Sequence, residues 1–372
     1  MSSMMRLISI LLAVLPFLGV GNALAWGRIV NVTQPCVFHG PTGYAWLANI
    51  TSFSHCSGII ISGLKVPAGV TLSLRNLKNT SVTFQGETSW GYQEWAGPLL
   101  SIEGNNVTVK GAPGSVLNGT GELWWDGEGS DGKTKPKFFK LKLTNSTVDD
   151  IRIVNSPVHV FSINNCRNLT LANIMIDNSL GDKRGGHNTD GFDISESSDI
   201  TIVGAKVYNQ DDCVAINSGT NIVFRNGTCV GGHGLSIGSV GGRTNNIVSN
   251  VLFEDSLIAD SENGVRIKTK SGESGTVSNV TYKNIRLENI TKIGITVDQS
   301  YGATSKAPTS GIPVTNFTLV NITGTVNAKG TNIFVNCGNS SSCESWSWSG
   351  VHVTGGKKTK KCLNLPAGIS CS

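Results

Sequence analysis

Short β-branched runs recur at near-constant intervals through the centre of this 372-residue chain, and that recurrence restricts the fold more than any other feature. Phe192-Asp193-Ile194, Cys213-Val214-Ala215-Ile216, Gly234-Leu235-Ser236-Ile237, Gly264-Val265-Arg266-Ile267 and Gly294-Ile295-Thr296-Val297 begin 21, 21, 30 and 30 residues apart. Further apolar runs lie between them, such as Ile200-Thr201-Ile202-Val203 and Asn221-Ile222-Val223-Phe224, bounded by Asn, Gly, Ser and Asp. Several strands per interval, turn residues between them and no helix-length apolar period describe a solenoid, in which each coil buries its inward residues against the next. An antiparallel sandwich also has many short strands, but hairpin stacks rarely hold a near-constant residue count over successive turns. The expected fold is all-β, a parallel β-helix whose longer coils carry insertions able to wall a groove.

A solenoid grows in one dimension, and no linker-like or low-complexity break interrupts the chain, so residues 26–372 read as one domain. Residues 1–25 read as an export signal: Arg6 precedes the apolar run Leu7 to Val20, and Ala23-Leu24-Ala25 is a small-x-small cleavage site. The run is too short to span a bilayer comfortably and no later segment could, so the expectation is a secreted, extracellular protein with no membrane partner. Charged residues make up only 15% of the chain and the net charge of +5 becomes +4 without Arg6. That excess is too diffuse for a nucleic-acid footprint and is compatible with an acidic polymer.

Ahead of the coils, apolar residues at Tyr44, Trp46, Leu47, Ile50 and Phe53 suit one amphipathic helix that could cap the open end of the solenoid. At the far end, Trp346-Ser347-Trp348 and the Cys362 to Cys371 loop suit the same task. Export gives the nine cysteines a meaning. Eight fall into near neighbours in sequence, Cys36 with Cys56, Cys213 with Cys229, Cys337 with Cys343 and Cys362 with Cys371, a pairing that sequence leaves open. Cys166 is left over and reads as a buried small hydrophobe. No cysteine pair shows zinc-ligand spacing with a partner pair and no His-Glu-x-x-His helix occurs, so neither metal nor cofactor is expected. Glycosylation sequons, among them Asn79, Asn106, Asn145, Asn168, Asn226, Asn279 and Asn316, sit beside strand-like runs, so part of their abundance is the turn grammar of the coils.

Chemistry concentrates where the repeat is clearest. Asp190 and Asp211 are 21 residues apart, as are Asp212 and His233, so one coil per interval gathers them into one patch. Clustered carboxylates raise one another's proton affinity, which suits a site where one acid is protonated while its neighbours stay ionised. Arg266 and Lys268 occupy positions i and i+2 of one strand and point to one face. Two cations beside such a cluster can hold an anionic substrate, or they can simply neutralise the aspartates. The run Lys357-Lys358-Thr359-Lys360-Lys361 reads as a solvated turn.

Asn188-Thr189-Asp190, Gln210-Asp211-Asp212-Cys213, Gly231-Gly232-His233-Gly234-Leu235-Ser236-Ile237-Gly238-Ser239 and Arg266-Ile267-Lys268 together resemble the four signature segments of polygalacturonases, glycoside hydrolase family 28, in order and spacing. The resemblance extends over most of residues 26–372, and the local cysteine pairing is similar to that of fungal secreted members. It implies a right-handed parallel β-helix that hydrolyses α-1,4 links of polygalacturonic acid with inversion, with pectin as partner and inhibitor proteins as further partners. A monomer is expected, and endo action is favoured over exo, which stays open because loops that would block one end of the groove cannot be placed from one chain. It implies Asp211 as general acid, Asp190 and Asp212 as holders of the attacking water, and His233 as the neighbour that helps set the acid's protonation. Arg266, Lys268, Tyr301 and Asn188 follow as substrate-binding residues. From the aspartate cluster, the pKa of Asp211 is expected to rise, with Arg266 and Lys268 opposing the rise, and activity to peak at acidic pH. A pectate lyase would need calcium ligands and leave unsaturated ends, a rhamnogalacturonan hydrolase lacks a reason for the paired cations, and a silent pectin-binding decoy would be free to lose the aspartates.

Overall fold

The computed structural model describes residues 34–48, 52–305, 307–359 and 361–371. The expected leader, residues 1–25, lies outside these. Every strand pairing among the described residues is parallel, and the chain winds as an all-β right-handed parallel β-helix, the hand that parallel crossover connections take.

Alternation within each strand builds the core. The strand Phe192–Ser195 has the burial pattern buried, intermediate, buried, intermediate, so Phe192 and Ile194 point inward while Asp193 and Ser195 face out. Stacking repeats this coil after coil. Phe161 pairs with Phe192, Phe192 with Val214, Val214 with Leu235, Leu235 with Val265 and Val265 with Ile295. These inward side chains are fully buried, each worth about 1.5–3 kcal/mol of hydrophobic stabilisation. Phe139, Phe161 and Phe192 stack with ring centroids 5.2 and 5.3 Å apart, and Phe253 stacks on Tyr282 at 4.5 Å across the paired strands Ile247–Ala259 and Thr276–Ile290.

The first step of the repeat differs from the 21 residues expected. Phe192 pairs with Val214, a step of 22, and Val214 with Leu235, a step of 21. Counting back two residues sets Asp190 level with Asp212, not Asp211, because the turn before Val214 holds one residue more than the spacing of run starts suggests.

Asparagine accounts for the turns. Asn221, Asn250, Asn279 and Asn316 all adopt positive φ between 53° and 58°, a left-handed conformation that Asn tolerates better than most residues. Their amides form a ladder, each donating to the previous carbonyl oxygen at 3.2, 3.0 and 2.9 Å. Sequons such as Asn279 and Asn316 are thus rungs of the scaffold.

A helix, Gly40–Ala48, lies at the N-terminal end and buries Leu47. It starts four residues before the expected Tyr44, because Pro41 pre-sets the φ angle of a first helical turn; residues 49–51 of the expected span lie outside the described residues. Cys36 is bonded to Cys56 beside it, and the other bridges join Cys213 to Cys229, Cys337 to Cys343 and Cys362 to Cys371. Cys166 is unpaired and buried. At the far end Trp346 and Trp348 stack at 5.8 Å, both edge-on to Phe317. No helix among the described residues is long and apolar enough to cross a membrane.

Candidate active site

The sheet built from Phe161–Asn164, Phe192–Ser195, Val214–Ile216, Leu235–Val240 and Asn263–Lys270 carries its outward residues into a cleft. The turns just ahead of these strands deliver the acids. Asn209 fixes two of them: its amide nitrogen donates to the backbone oxygens of Thr189, Asp211 and Asp212 at 3.0, 2.9 and 3.0 Å. One buried side chain therefore ties the Asp190 turn to the Asp211-Asp212 turn, and the Cys213–Cys229 bridge anchors the latter from the other side.

Asp190, Asp211 and Asp212 are all buried and line one hollow with Asn188, Lys268 and Tyr301. Their partners differ, and so does their chemistry. Asp212 accepts from Lys268 Nζ at 2.6 Å and Ser236 Oγ at 2.6 Å, with Arg266 Nη1 at 3.4 Å. Both cations therefore already neutralise Asp212; the structural network that the sequence allowed is present, and Lys268 is itself buried. Tyr301 covers them, its ring centre 5.9 Å from the Arg266 guanidinium and 5.3 Å from Lys268 Nζ.

Asp211 Oδ2 accepts from Asn188 Nδ2 at 2.8 Å, and its Oδ1 accepts from the Asp212 backbone N–H at 2.7 Å and lies 2.7 Å from His233 Nδ1. Burial pushes the Asp211 carboxyl up, but the His233 hydrogen bond and charge, with Lys268 behind them, outweigh it and hold the group well below the usual carboxylate range. The expected rise is thus corrected for the ligand-free protein: sequence reasoning placed His233 near the acid but gave the neighbouring aspartates the larger effect, and the direct 2.7 Å contact with His233 reverses that order. Burial opposes charge on His233, yet Asp211 and Glu262, the latter 3.1 Å from Nε2, lift it to about 9. Gly232 and Gly234 bracket this histidine for a steric reason. Both have positive φ, and a Cβ on Gly232 would meet the Asp211 carbonyl oxygen at 2.2 Å.

The raised carboxyl is Asp190. Burial and the negative charges of Asp193 and Asp211 push it well above the carboxylate range, opposed by His159. His159 Nδ1 lies 2.5 Å from Asp193 and 3.9 Å from Asp190. His159, Asp193, Asn209, Ser236 and Glu262 were not singled out from the sequence. His159 carried a signal: counting back two residues from Phe161, Phe192, Val214 and Leu235 gives His159, Asp190, Asp212 and His233, one file of successive coils. Donor atoms of Asp211, Asp212 and His233 lie within 4.8 Å of one another, as do those of His159, Asp190 and Asp193, but protein cations already pair with these groups, supplying the positive charge a metal would bring.

The cleft continues past the acids on both sides. Toward the N-terminal coils it joins, through Lys137, Ser162 and Asn164, a hollow reaching Ala96 and Lys140. Toward the C-terminal coils it joins, through Tyr301, a more apolar hollow lined by Phe334, Lys361 and Leu363. This chemistry, buried acids of unequal proton affinity in a through-going cleft with lysines along it, suits acid–base cleavage within an anionic chain.

Comparison with known proteins agrees with the geometry. Residues 56–371 match the family model of glycosyl hydrolases family 28. The chain is 55% identical over 347 residues to endopolygalacturonase I of Aspergillus aculeatus, covering 92% of this chain and 91% of that one. It is 54% identical to a polygalacturonase of Cochliobolus carbonum, over 87% and 90% of the two chains. Among solved structures, endopolygalacturonase I of Stereum purpureum in complex with two galacturonates superposes with a TM-score of 0.79 at 36% identity, covering 89% of this chain and 99% of that one.

Proposed function

This chain belongs to glycosyl hydrolases family 28, and from that premise we propose that it is a secreted, inverting polygalacturonase that cuts the α-1,4-galacturonosyl links of pectin at internal positions. The observation that carries the endo reading is the cleft, which runs beyond the acids toward both ends of the solenoid and so has room for polymer on either side of the cut. Lys137, Lys140, Arg243, Lys268 and Lys361 lie along it, facing the carboxylate that every galacturonate unit carries.

In this reading Asp211 donates a proton to the glycosidic oxygen as the C–O bond breaks. A water held by Asp190 and Asp212 attacks the anomeric carbon from the opposite face and gives its proton to that pair. Inverting sites keep acid and base about 6.5–9.5 Å apart to admit this water. The free protein stores its mobile proton on His233 rather than Asp211. A substrate carboxylate gripped by Arg266 and Lys268 offsets part of the positive field that depresses Asp211, and so favours the protonated acid in the complex. Tyr301, half-covering both cations, and Asn188, bonded to Asp211, are placed to touch the sugar on either side of the cut. An extracellular setting, with residues 1–25 removed and 26–372 acting as one catalytic domain, accords with the four disulfides. The protein acts as a monomer, and proteins that plug the cleft would inhibit it.

The test is a time course on polygalacturonic acid with viscosity, product lengths and anomeric configuration followed together. Mixed oligomers, viscosity falling ahead of reducing-end release, and β-configured new ends are expected. Monomer alone from the outset would remove the endo reading, and retained configuration would remove the assignment of Asp190 and Asp212.

A further inference from the structure

His159 and Asp193 occupy the floor of the cleft on the N-terminal side of Asp190, and neither has a part in the chemistry above. His159 is level with Asp190 in the stack of coils, just as His233 is level with Asp212. Asp190 Oδ1 is buried with no hydrogen-bond partner among the described residues, and the nearest cation to it is His159 Nδ1 at 3.9 Å.

The charges that face Asp190 are otherwise negative. Asp193 lies on its own strand and Asp211 and Asp212 on the next turn, while Lys268 and Arg266, on Asn263–Lys270, are turned to Asp212. Lys137, one coil further from Asp190 than His159, opposes the charge on His159 without displacing it. A carboxylate so surrounded resists ionisation, yet a group that accepts a proton from water must be ionised.

We propose that His159, held by Asp193, is a positioning residue whose positive charge limits the proton affinity of Asp190 against the surrounding carboxylates, and that this pair sets the lower pH limit of the reaction. The proposal rests on the reading of Asp190 as a water-holding base. Three observations support it. His159 donates Nδ1–H to Asp193 at 2.5 Å, which fixes the ring with its charge toward both carboxylates. Burial opposes that charge, but Asp193 and Asp190 together lift the imidazole to about 9, so it is a cation throughout the acidic range. His159 is also one of the groups that lower the proton affinity of Asp190. At about 4 Å a unit charge in a partly buried site moves a neighbour's titration by about one to three pH units.

The experiment compares kcat/KM against pH for the wild-type protein, His159→Gln and Asp193→Asn on one polygalacturonate substrate, whose own carboxylates titrate alike in all three. His159→Gln keeps a donor and loses the charge. Its acid limb is expected to move up by about one to two pH units, so the ratio of variant to wild type falls by about 10- to 100-fold toward the acid end. Asp193→Asn removes one repelling carboxylate and leaves His159 to Asp190 alone, and its limb is expected to move down. His159→Lys, which restores a cation, should bring the limb back toward wild type. A rate lowered equally at all pH with an unmoved limb, or a raised KM alone, would show His159 to be a structural or substrate contact and overturn the proposal.

A second measurement needs no variant to turn over substrate. The His159 ring resonance, identified among the six histidines by its loss in His159→Gln, should stay in the imidazolium form through pH 8. Titration near 6.5 would refute the proposal. Absence of hydrolysis by the wild type at every pH would instead sink the polygalacturonase reading, with the resonance still reporting on the charge pair.

Discussion

Replacing His233 by glutamine tests how the acid is controlled. Gln keeps a donor for Asp211 and removes the charge that, with Lys268, holds this carboxyl low. The nitrogen–oxygen contact is 2.7 Å and the side chains are 21% and 11% exposed, so the charge centres are about 4 Å apart in a mostly desolvated site. At an effective dielectric constant near 20 this corresponds to about 4 kcal/mol, or about three pH units as an upper value. Water at the exposed edge screens part of it, leaving an expected rise of about one to two units in the Asp211 pKa. The sign follows directly. A higher pKa keeps the acid protonated to higher pH, so the alkaline limb of kcat/KM moves up by the same one to two units. The maximum rate should fall, because a weaker acid transfers its proton less readily. The assay is reducing-end release from polygalacturonic acid across a pH series at substrate concentrations far below KM. An alkaline limb that stays in place, with rates uniformly lowered, would refute the claim that His233 acts through the charge on Asp211.

Three further outcomes follow from the same contacts. Asp211→Asn should cost about 100- to 10,000-fold in kcat with the thermal midpoint nearly kept, and near-normal turnover would exclude Asp211 as the acid. Lys268→Met strips buried Asp212 of its 2.6 Å partner and leaves Arg266 at 3.4 Å; a stability loss of about 3 kcal/mol is expected in urea titrations, together with a raised KM, and an unchanged denaturation midpoint would contradict the ion pair. His159 and His233 are both raised to about 9. Their contribution to stability is therefore complete below about pH 6.5, the unfolded value, and lost as pH rises through about 9, by up to about 3 kcal/mol each. On the acid side Asp211 and Glu262, both depressed, lose theirs as pH falls below about 4. Thermal melts should peak between these limits, and a flat profile from pH 6 to 10 would count against both histidine pairs.

How much of this was legible in the sequence depends on what each feature needs for its expression. The solenoid was legible because its cause is repeated: an inward file such as Phe161, Phe192, Val214 and Leu235 writes the same apolar pattern once per coil. Asp190, Asp211, Asp212 and His233 were legible for the same reason, their near-constant spacing. What stayed hidden depended on one-residue register and on contacts between coils. Run starts gave a step of 21 where the pairing gives 22, and that single residue moved Asp190 from Asp211 to Asp212 and concealed that His159 begins the file. Asn209 has no repeat signature, since its three bonds to backbone oxygens exist only once two turns have closed on one another.

The register also explains why the two middle acids of the file differ in their partners although their chemistry is alike. In the file His159, Asp190, Asp212, His233, each aspartate has one aspartate neighbour and one histidine neighbour along the stack, so spacing alone makes them equivalent. Equivalence is broken from the side. Lys268 and Arg266 reach Asp212 from the strand Asn263–Lys270, while His159 lies 2.5 Å from Asp193 and 3.9 Å from Asp190; Asp212 thus has close cations and Asp190 an unpartnered oxygen. Asp211, outside the file by one residue, pairs with His233 at 2.7 Å. A cleft that needs carboxyl groups of unequal proton affinity must separate like groups electrostatically, and here the separation comes from which coil supplies each cation.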